Sequence, residues 1–121
     1  MKYIKFTKKE NEIMDILWKS TKPMSAHDIK MTSDELSINT IQQTLQKLLS
    51  INYIEVAGIG QNKKAIMRLY RPVVSEAQYV NSFIGNDTRE KISAYFVKNT
   101  DNLDSLLELK KMILEKEKEL K

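Results

Sequence analysis

The chain has 121 residues, of which 20 are Lys or Arg and 16 Asp or Glu, for a formal net charge of +4. That length suits one domain, or one small domain with an oligomerisation segment, because chains of this size bury a modest core. With no cysteine, disulfides, thiol redox chemistry and thiolate zinc sites are excluded; the single histidine, His27, argues against a His-based metal site, and no cofactor is expected.

No stretch approaches the roughly 18 apolar residues of a membrane span, and the amino terminus, MKYIKFTKKEN, has no apolar h-region. A cytoplasmic protein without membrane insertion is the expectation. The charge is one-sided. Residues 1–74 hold 12 Lys and Arg against 7 Asp and Glu, whereas residues 75–121 hold 8 against 9. A positive balance confined to one part of a chain is an electrostatic footprint of nucleic-acid binding.

Thr7 and Glu10 form a capping box ahead of the apolar stripe Ile13, Met14, Leu17 and Trp18, predicting a first helix over residues 7–20. Lys22 and Pro23 break it. Ser25 then caps a short second helix, with Asp28 in the N3 position and Met24 and Ile29 spaced as a hydrophobic staple. That helix ends near Met31 or Thr32, and His27 is read as an exposed residue on it. Ser37 caps a third helix over residues 37–52, with Leu36 and Ile41 as a second staple. Its apolar stripe is Ile41, Leu45, Leu48 and Leu49. Its other face carries Asn39, Thr40, Gln42, Gln43, Gln46 and Lys47, with no acidic residue. Amide and hydroxyl groups on one helix face are those that read base edges in a DNA major groove, where Gln or Asn pairs bidentately with adenine. The alternative is an ordinary solvated face. Three helices with a short second one match the helix-turn-helix plan, in which the second helix props a recognition helix.

The period then changes. Residues 53–57 and 65–72 are strand-like, and residues 58–64 between them read as a turn in which Gly58, Gly60 and Asn62 tolerate positive φ. The pair is a β-hairpin wing. Lys63, Lys64 and Arg68 would stand beside a phosphate backbone, adding affinity without reading sequence; a solvated turn that is basic by chance is the plainer alternative. Ser25, at the start of the second helix, joins these residues as a candidate DNA contact.

Beyond Pro72 the chain turns helical. Ser75 and Gln78 form a capping box before Ala77, Val80, Phe83 and Ile84, with Gly85 and Asn86 ending that helix. Asp87 opens another, lined by Ile92, Tyr95 and Phe96. The last is lined by Leu103, Leu106, Leu107, Leu109, Ile113, Leu114 and Leu120. The expectation is a winged helix-turn-helix over residues 1–74, mainly α with a small hairpin, followed by a helical dimerisation region over residues 75–121. Broad apolar stripes on helices too small to make their own core are most simply satisfied by a second copy. Val80, Phe83, Ile84, Ile92, Tyr95, Phe96, Leu103, Leu106, Leu107 and Ile113 are the candidates for that contact. The alternative is a monomer with these helices folded back.

Ile13-Met14-Asp15-Ile16-Leu17-Trp18, Met24-Ser25-Ala26-His27-Asp28-Ile29, Thr40-Ile41-Gln42-Gln43-Thr44-Leu45-Gln46-Lys47-Leu48, Tyr53-Ile54 and Leu69-Tyr70, in that order, resemble the BlaI/MecI/CopY family of bacterial repressors. The resemblance implies a winged-helix homodimer, interlocked through its C-terminal helices, that binds a palindromic double-stranded operator. It further implies repression of β-lactamase, resistance or copper-transport genes. By matching position, Asn39, Thr40, Gln43 and Lys47 fall where the family contacts DNA. Better-known members tend to carry basic residues at the positions of Asn39 and Gln42, which bears on operator preference. Copper-responsive members end in a cysteine-rich tail that binds Cu(I) through thiolates, so the absence of Cys excludes direct copper sensing. The β-lactam-responsive members are cleaved in the middle C-terminal helix through a sensor-linked protease. The matching place is Tyr95-Phe96, where those members resemble Asn-Phe; from the residues alone, Tyr95 and Phe96 read as core.

No Ser-His pairing surrounds His27, the carboxylates are scattered, and no Gly-rich phosphate loop occurs, so catalysis is not expected. The reading from a different class is a winged-helix protein-interaction module with incidental basic charge.

Overall fold

Helix starts in this chain follow local caps. In the computed structural model, which describes residues 3–62 and 65–121, the hydroxyls of Thr7, Ser25 and Ser75 each accept the N3 backbone N–H. The side chains of Glu10, Asp28 and Gln78 accept the cap N–H in return. Each reciprocal pair satisfies two otherwise orphaned donors. These caps open α1 (Lys8–Lys19), α2 (Ala26–Thr32) and α4 (Glu76–Asn81), while Ser37 opens α3 (Ile38–Ser50).

The three N-terminal helices bury one another. Ile13, Met14 and Leu17 of α1, Ile29 of α2 and Ile41, Leu45 and Leu48 of α3 are buried, joined by Leu36, Tyr53, Ile54 and Val74. Burying one such aliphatic side chain contributes about 1.5–3 kcal/mol, so this cluster is what fixes α3. The carboxyl end of α3 closes with Asn52 at φ 63°. Its N–H donates to the Leu49 carbonyl (3.1 Å) and that of Tyr53 to Leu48 (3.0 Å), the double hydrogen bond of a Schellman cap.

Strands β1 (Ile54–Asn62) and β2 (Ala65–Pro72) pair antiparallel, from Ile54 opposite Pro72 to Asn62 opposite Ala65, with a register shift between Val56 and Gly58. The expected turn over residues 58–64 is therefore mostly strand. Gly58 and Gly60 lie inside β1 and neither has positive φ. What Gly60 provides is room: a Cβ there would sit 3.2 Å from Cδ2 of Leu69. Lys63 and Lys64 lie outside the described residues. Met24 adds an isolated bridge to β2, exchanging backbone hydrogen bonds of 2.9 and 2.8 Å with Tyr70.

The chain divides into two units, the first ending at Phe83 and the second spanning Ile84–Lys121. The first runs past the expected boundary at residue 74 because α4 is tied to the amino-terminal segment. The Tyr79 ring stacks on Phe6 (centroids 4.1 Å apart) and its hydroxyl accepts the Phe6 N–H at 2.7 Å. The Tyr53 hydroxyl accepts the Ile4 N–H, and the Trp18 indole N–H donates to the Val74 carbonyl. The expected helix through Ile84 stops at Asn81, and Gly85 serves as the N-cap of α5 (Asn86–Asn99) rather than as a helix end.

Asn102 caps α6 (Leu103–Leu120), its side chain accepting the Ser105 N–H. Neither α5 nor α6 has a buried residue. Tyr95 is 71% and Phe96 43% exposed, which corrects the reading of these two as core residues. Within this unit Ile92, Phe96, Val97, Leu109 and Ile113 line an open apolar groove of about 760 Å³. No helix is long and apolar enough to cross a membrane, among the described residues. The architecture is a winged helix-turn-helix, mainly α with a two-stranded hairpin, followed by C-terminal helices.

Candidate nucleic-acid interface

Helix α3 turns its apolar stripe inward and leaves Asn39, Gln42, Gln43 and Gln46 exposed on the remaining surface. No acidic residue occupies its first turn, so the positive end of the helix dipole is uncompensated there. Thr40 is half-buried, and its Oγ1 accepts the Ser37 hydroxyl at 3.0 Å. It therefore belongs to the cap as much as to the exposed strip.

An open groove of about 570 Å³ runs between α2, α3 and β2. Gln42 and Gln46 line one wall, Met67, Arg68 and Tyr70 another, and His27 its edge. The structure thus brings Gln42, Gln46 and Arg68 together, while Asn39 and Gln43 lie on the same helix outside the groove. Arg68 is exposed on β2 opposite Ile59. On the same hairpin Arg71 pairs with Glu55 at 2.6 Å, an exposed ion pair.

Two candidate contacts are engaged elsewhere. Ser25 is 1% exposed, and its hydroxyl accepts the Asp28 N–H at 3.1 Å. It is a buried cap that also lines the groove. The Lys47 ammonium forms an ion pair with the Glu10 carboxylate of α1. Glu10 is the one buried charged residue among those described, and its other oxygen accepts the Thr7 N–H at 2.9 Å. Burial by itself raises the Glu10 carboxyl; the hydrogen bond with Lys47, the bonds with Thr7 and the Lys47 charge outweigh it and hold the carboxyl below its ordinary value.

Glu10 is the residue that sequence reasoning missed. Its spacing from Thr7 marks it as a cap, and no local pattern connects it to Lys47. Of the candidate dimer contacts, Val80, Ile92, Tyr95, Phe96, Leu103, Leu107 and Ile113 are exposed, and Phe83, Ile84 and Leu106 are half-buried. The Tyr95-Phe96 bond lies inside the continuous helix α5, so a protease would require local unwinding to reach it. Among the described residues, no group of three His, Asp or Glu gathers to hold a metal ion.

No curated protein matches the chain. Solved structures similar to it include a variant of ZitR from Lactococcus lactis, at 18% identity and TM-score 0.49, covering 98% of this chain and 77% of that one. MarR from Staphylococcus aureus, in complex with salicylate and kanamycin, has 17% identity and TM-score 0.46 over 96% and 73%. A MarR family regulator from Neisseria meningitidis has 15% identity and TM-score 0.46 over 93% and 81%. The penicillinase repressor family matches residues 6–121, and the chain belongs to that family of transcriptional regulators.

Proposed function

We propose that this protein is a sequence-specific DNA-binding repressor that acts as a homodimer on a palindromic operator. The observation that carries the reading is the exposed, uncharged amide strip of α3, Asn39, Gln42, Gln43 and Gln46, beside a hairpin that presents Arg68. Four amides along one helix offer paired donors and acceptors to base edges, whereas phosphate contact demands cations. The division of labour follows: α3 reads bases and the hairpin holds the backbone. The exposed apolar side chains of α5 and α6 favour pairing with a second copy, and a two-fold dimer requires an operator with matching symmetry. Membership in the penicillinase repressor family favours β-lactamase or related resistance genes as those controlled.

Affinity for duplex DNA across a salt series tests the reading. Each phosphate neutralised steepens the plot of log affinity against log salt by about 0.9, so a flat plot overturns it. Gln43→Ala is expected to weaken the preferred operator about 10-fold or more, in line with the roughly 1–3 kcal/mol of a bidentate base contact, and random duplex little. Arg68→Ala is expected to weaken both equally. Equal losses for Gln43→Ala would show that it reads no base.

A further inference from the structure

Lys47 is the sole cation on α3, and it stands at the edge of the amide strip with its side chain 58% exposed. Its partner is not a surface carboxylate. Glu10 has a side chain 8% exposed, accepts the Thr7 N–H through one oxygen and meets Lys47 through the other. The Arg71–Glu55 pair on the hairpin differs, with both side chains about half exposed. Water can replace either partner there at little cost. A buried carboxylate has no such substitute, because removing its cation leaves an uncompensated charge in a poorly solvated place. Moving Lys47 to a solvated DNA phosphate would leave the Glu10 charge without its partner.

We propose that Glu10 is a positioning residue that holds Lys47 off the DNA phosphates, so that α3 meets the groove without net charge and sequence-independent affinity comes from elsewhere in the protein. This rests on the DNA-binding reading above. The consequence is for discrimination: a cation on the recognition helix would strengthen binding to every sequence alike, whereas a tethered one leaves the amides to decide.

The test compares the full-length protein with Glu10→Gln, Lys47→Met and the double variant. A random-sequence duplex pool and the tightest-binding duplex recovered from that pool by selection with the unaltered protein, taken as its operator, serve as probes, from about 50 to 200 mM salt. Glu10→Gln keeps the cap, because Gln78 performs the same N3 task in α4, accepting the Ser75 N–H at 2.9 Å. It removes only the charge that restrains Lys47. The expected results are a random-duplex slope steeper by about 0.9, equivalent to roughly 3-fold more loss over that salt range, and a smaller ratio of operator to random affinity. The double variant is expected to return to the slope of the unaltered protein, which assigns the change to Lys47. Lys47→Met alone is expected to leave the slope unchanged. A slope that falls by about 0.9 in Lys47→Met, or one that does not move in Glu10→Gln, overturns the proposal. If the unaltered protein shows no salt-dependent binding to either duplex, the DNA-binding reading itself fails and the proposal with it.

Discussion

Removing the Tyr79 ring tests whether α4 belongs to the winged-helix unit. The ring stacks on Phe6 with planes 5° apart, lies 5.9 Å from Trp18 and meets Phe83 edge-on at 4.9 Å. Its hydroxyl accepts the Phe6 N–H. Tyr79→Phe keeps the ring contacts and removes one acceptor from a half-buried N–H, a loss of about 1 kcal/mol. Tyr79→Ala also removes three aromatic pairs, each contributing about 0.5–1.5 kcal/mol. Because the ring is only half-buried, the low end applies, and with about 1 kcal/mol for the burial of the ring itself the whole loss is about 3–4 kcal/mol. Urea unfolding of the full chain at one fixed protein concentration gives these differences directly. The reasoning is refuted if Tyr79→Ala unfolds at the midpoint of the unaltered protein, or if Tyr79→Phe loses as much as Tyr79→Ala. The second result would place the stabilisation in the hydrogen bond rather than in the stack.

Glu10 makes stability depend on pH. A carboxyl held below its ordinary value of 4.5 contributes fully above that value and loses its contribution as pH falls through the lowered folded value. Denaturant unfolding should therefore weaken below about pH 4.5 in the unaltered protein, and Glu10→Gln should remove that component of the acid loss. Identical pH profiles for the two would refute it. At Asn52, whose φ of 63° lies in the left-handed region, Asn52→Val should lower stability by about 1–2 kcal/mol while Asn52→Gly stays within about 0.5 kcal/mol. Equal effects in urea unfolding would remove backbone strain as the cause. Leu107→Glu, at a side chain 53% exposed on α6, should shift sedimentation from dimer to monomer without altering the helical circular dichroism of the winged-helix unit; an unchanged mass would exclude Leu107 from the contact.

The parts of this fold that were legible in the sequence are those written in local spacing. A hydroxyl followed three residues later by a carboxyl or amide caps a helix by direct contact, so Thr7 with Glu10, Ser25 with Asp28 and Ser75 with Gln78 place three helix starts to within a residue. The stripe of Ile41, Leu45 and Leu48 is likewise a matter of period, and it identified the buried face of α3. The errors arise where a residue type has two uses. Glycine marks turns, but Gly60 is a strand residue that leaves space for Leu69. Apolar residues mark cores, but Tyr95 and Phe96 are exposed in the single chain. The pairing of Lys47 with Glu10 was not legible at all, because Glu10 is distant in sequence and only the packing of α1 against α3 brings it near.

That last difference separates the residues that aim α3 from those that face outward. Its start is held by Ser37, its end by Asn52, its inner face by Ile41, Leu45 and Leu48, and its flank by Glu10 through Lys47. Asn39, Gln42, Gln43 and Gln46 take no part in those ties. They are exposed and outside the core, so substituting them should change stability by no more than about 0.5 kcal/mol, while each contact to a base edge is worth about 1–3 kcal/mol of discrimination. On this arrangement the operator preference can be altered through the outer strip without loosening the helix that presents it. Amides stand at Asn39 and Gln42, where the resembled repressors tend to carry basic residues. On the DNA-binding reading proposed above, the difference bears on operator preference, and the sequence-independent affinity those basic residues would supply would come from cations beyond the strip, Arg68 of the hairpin among them.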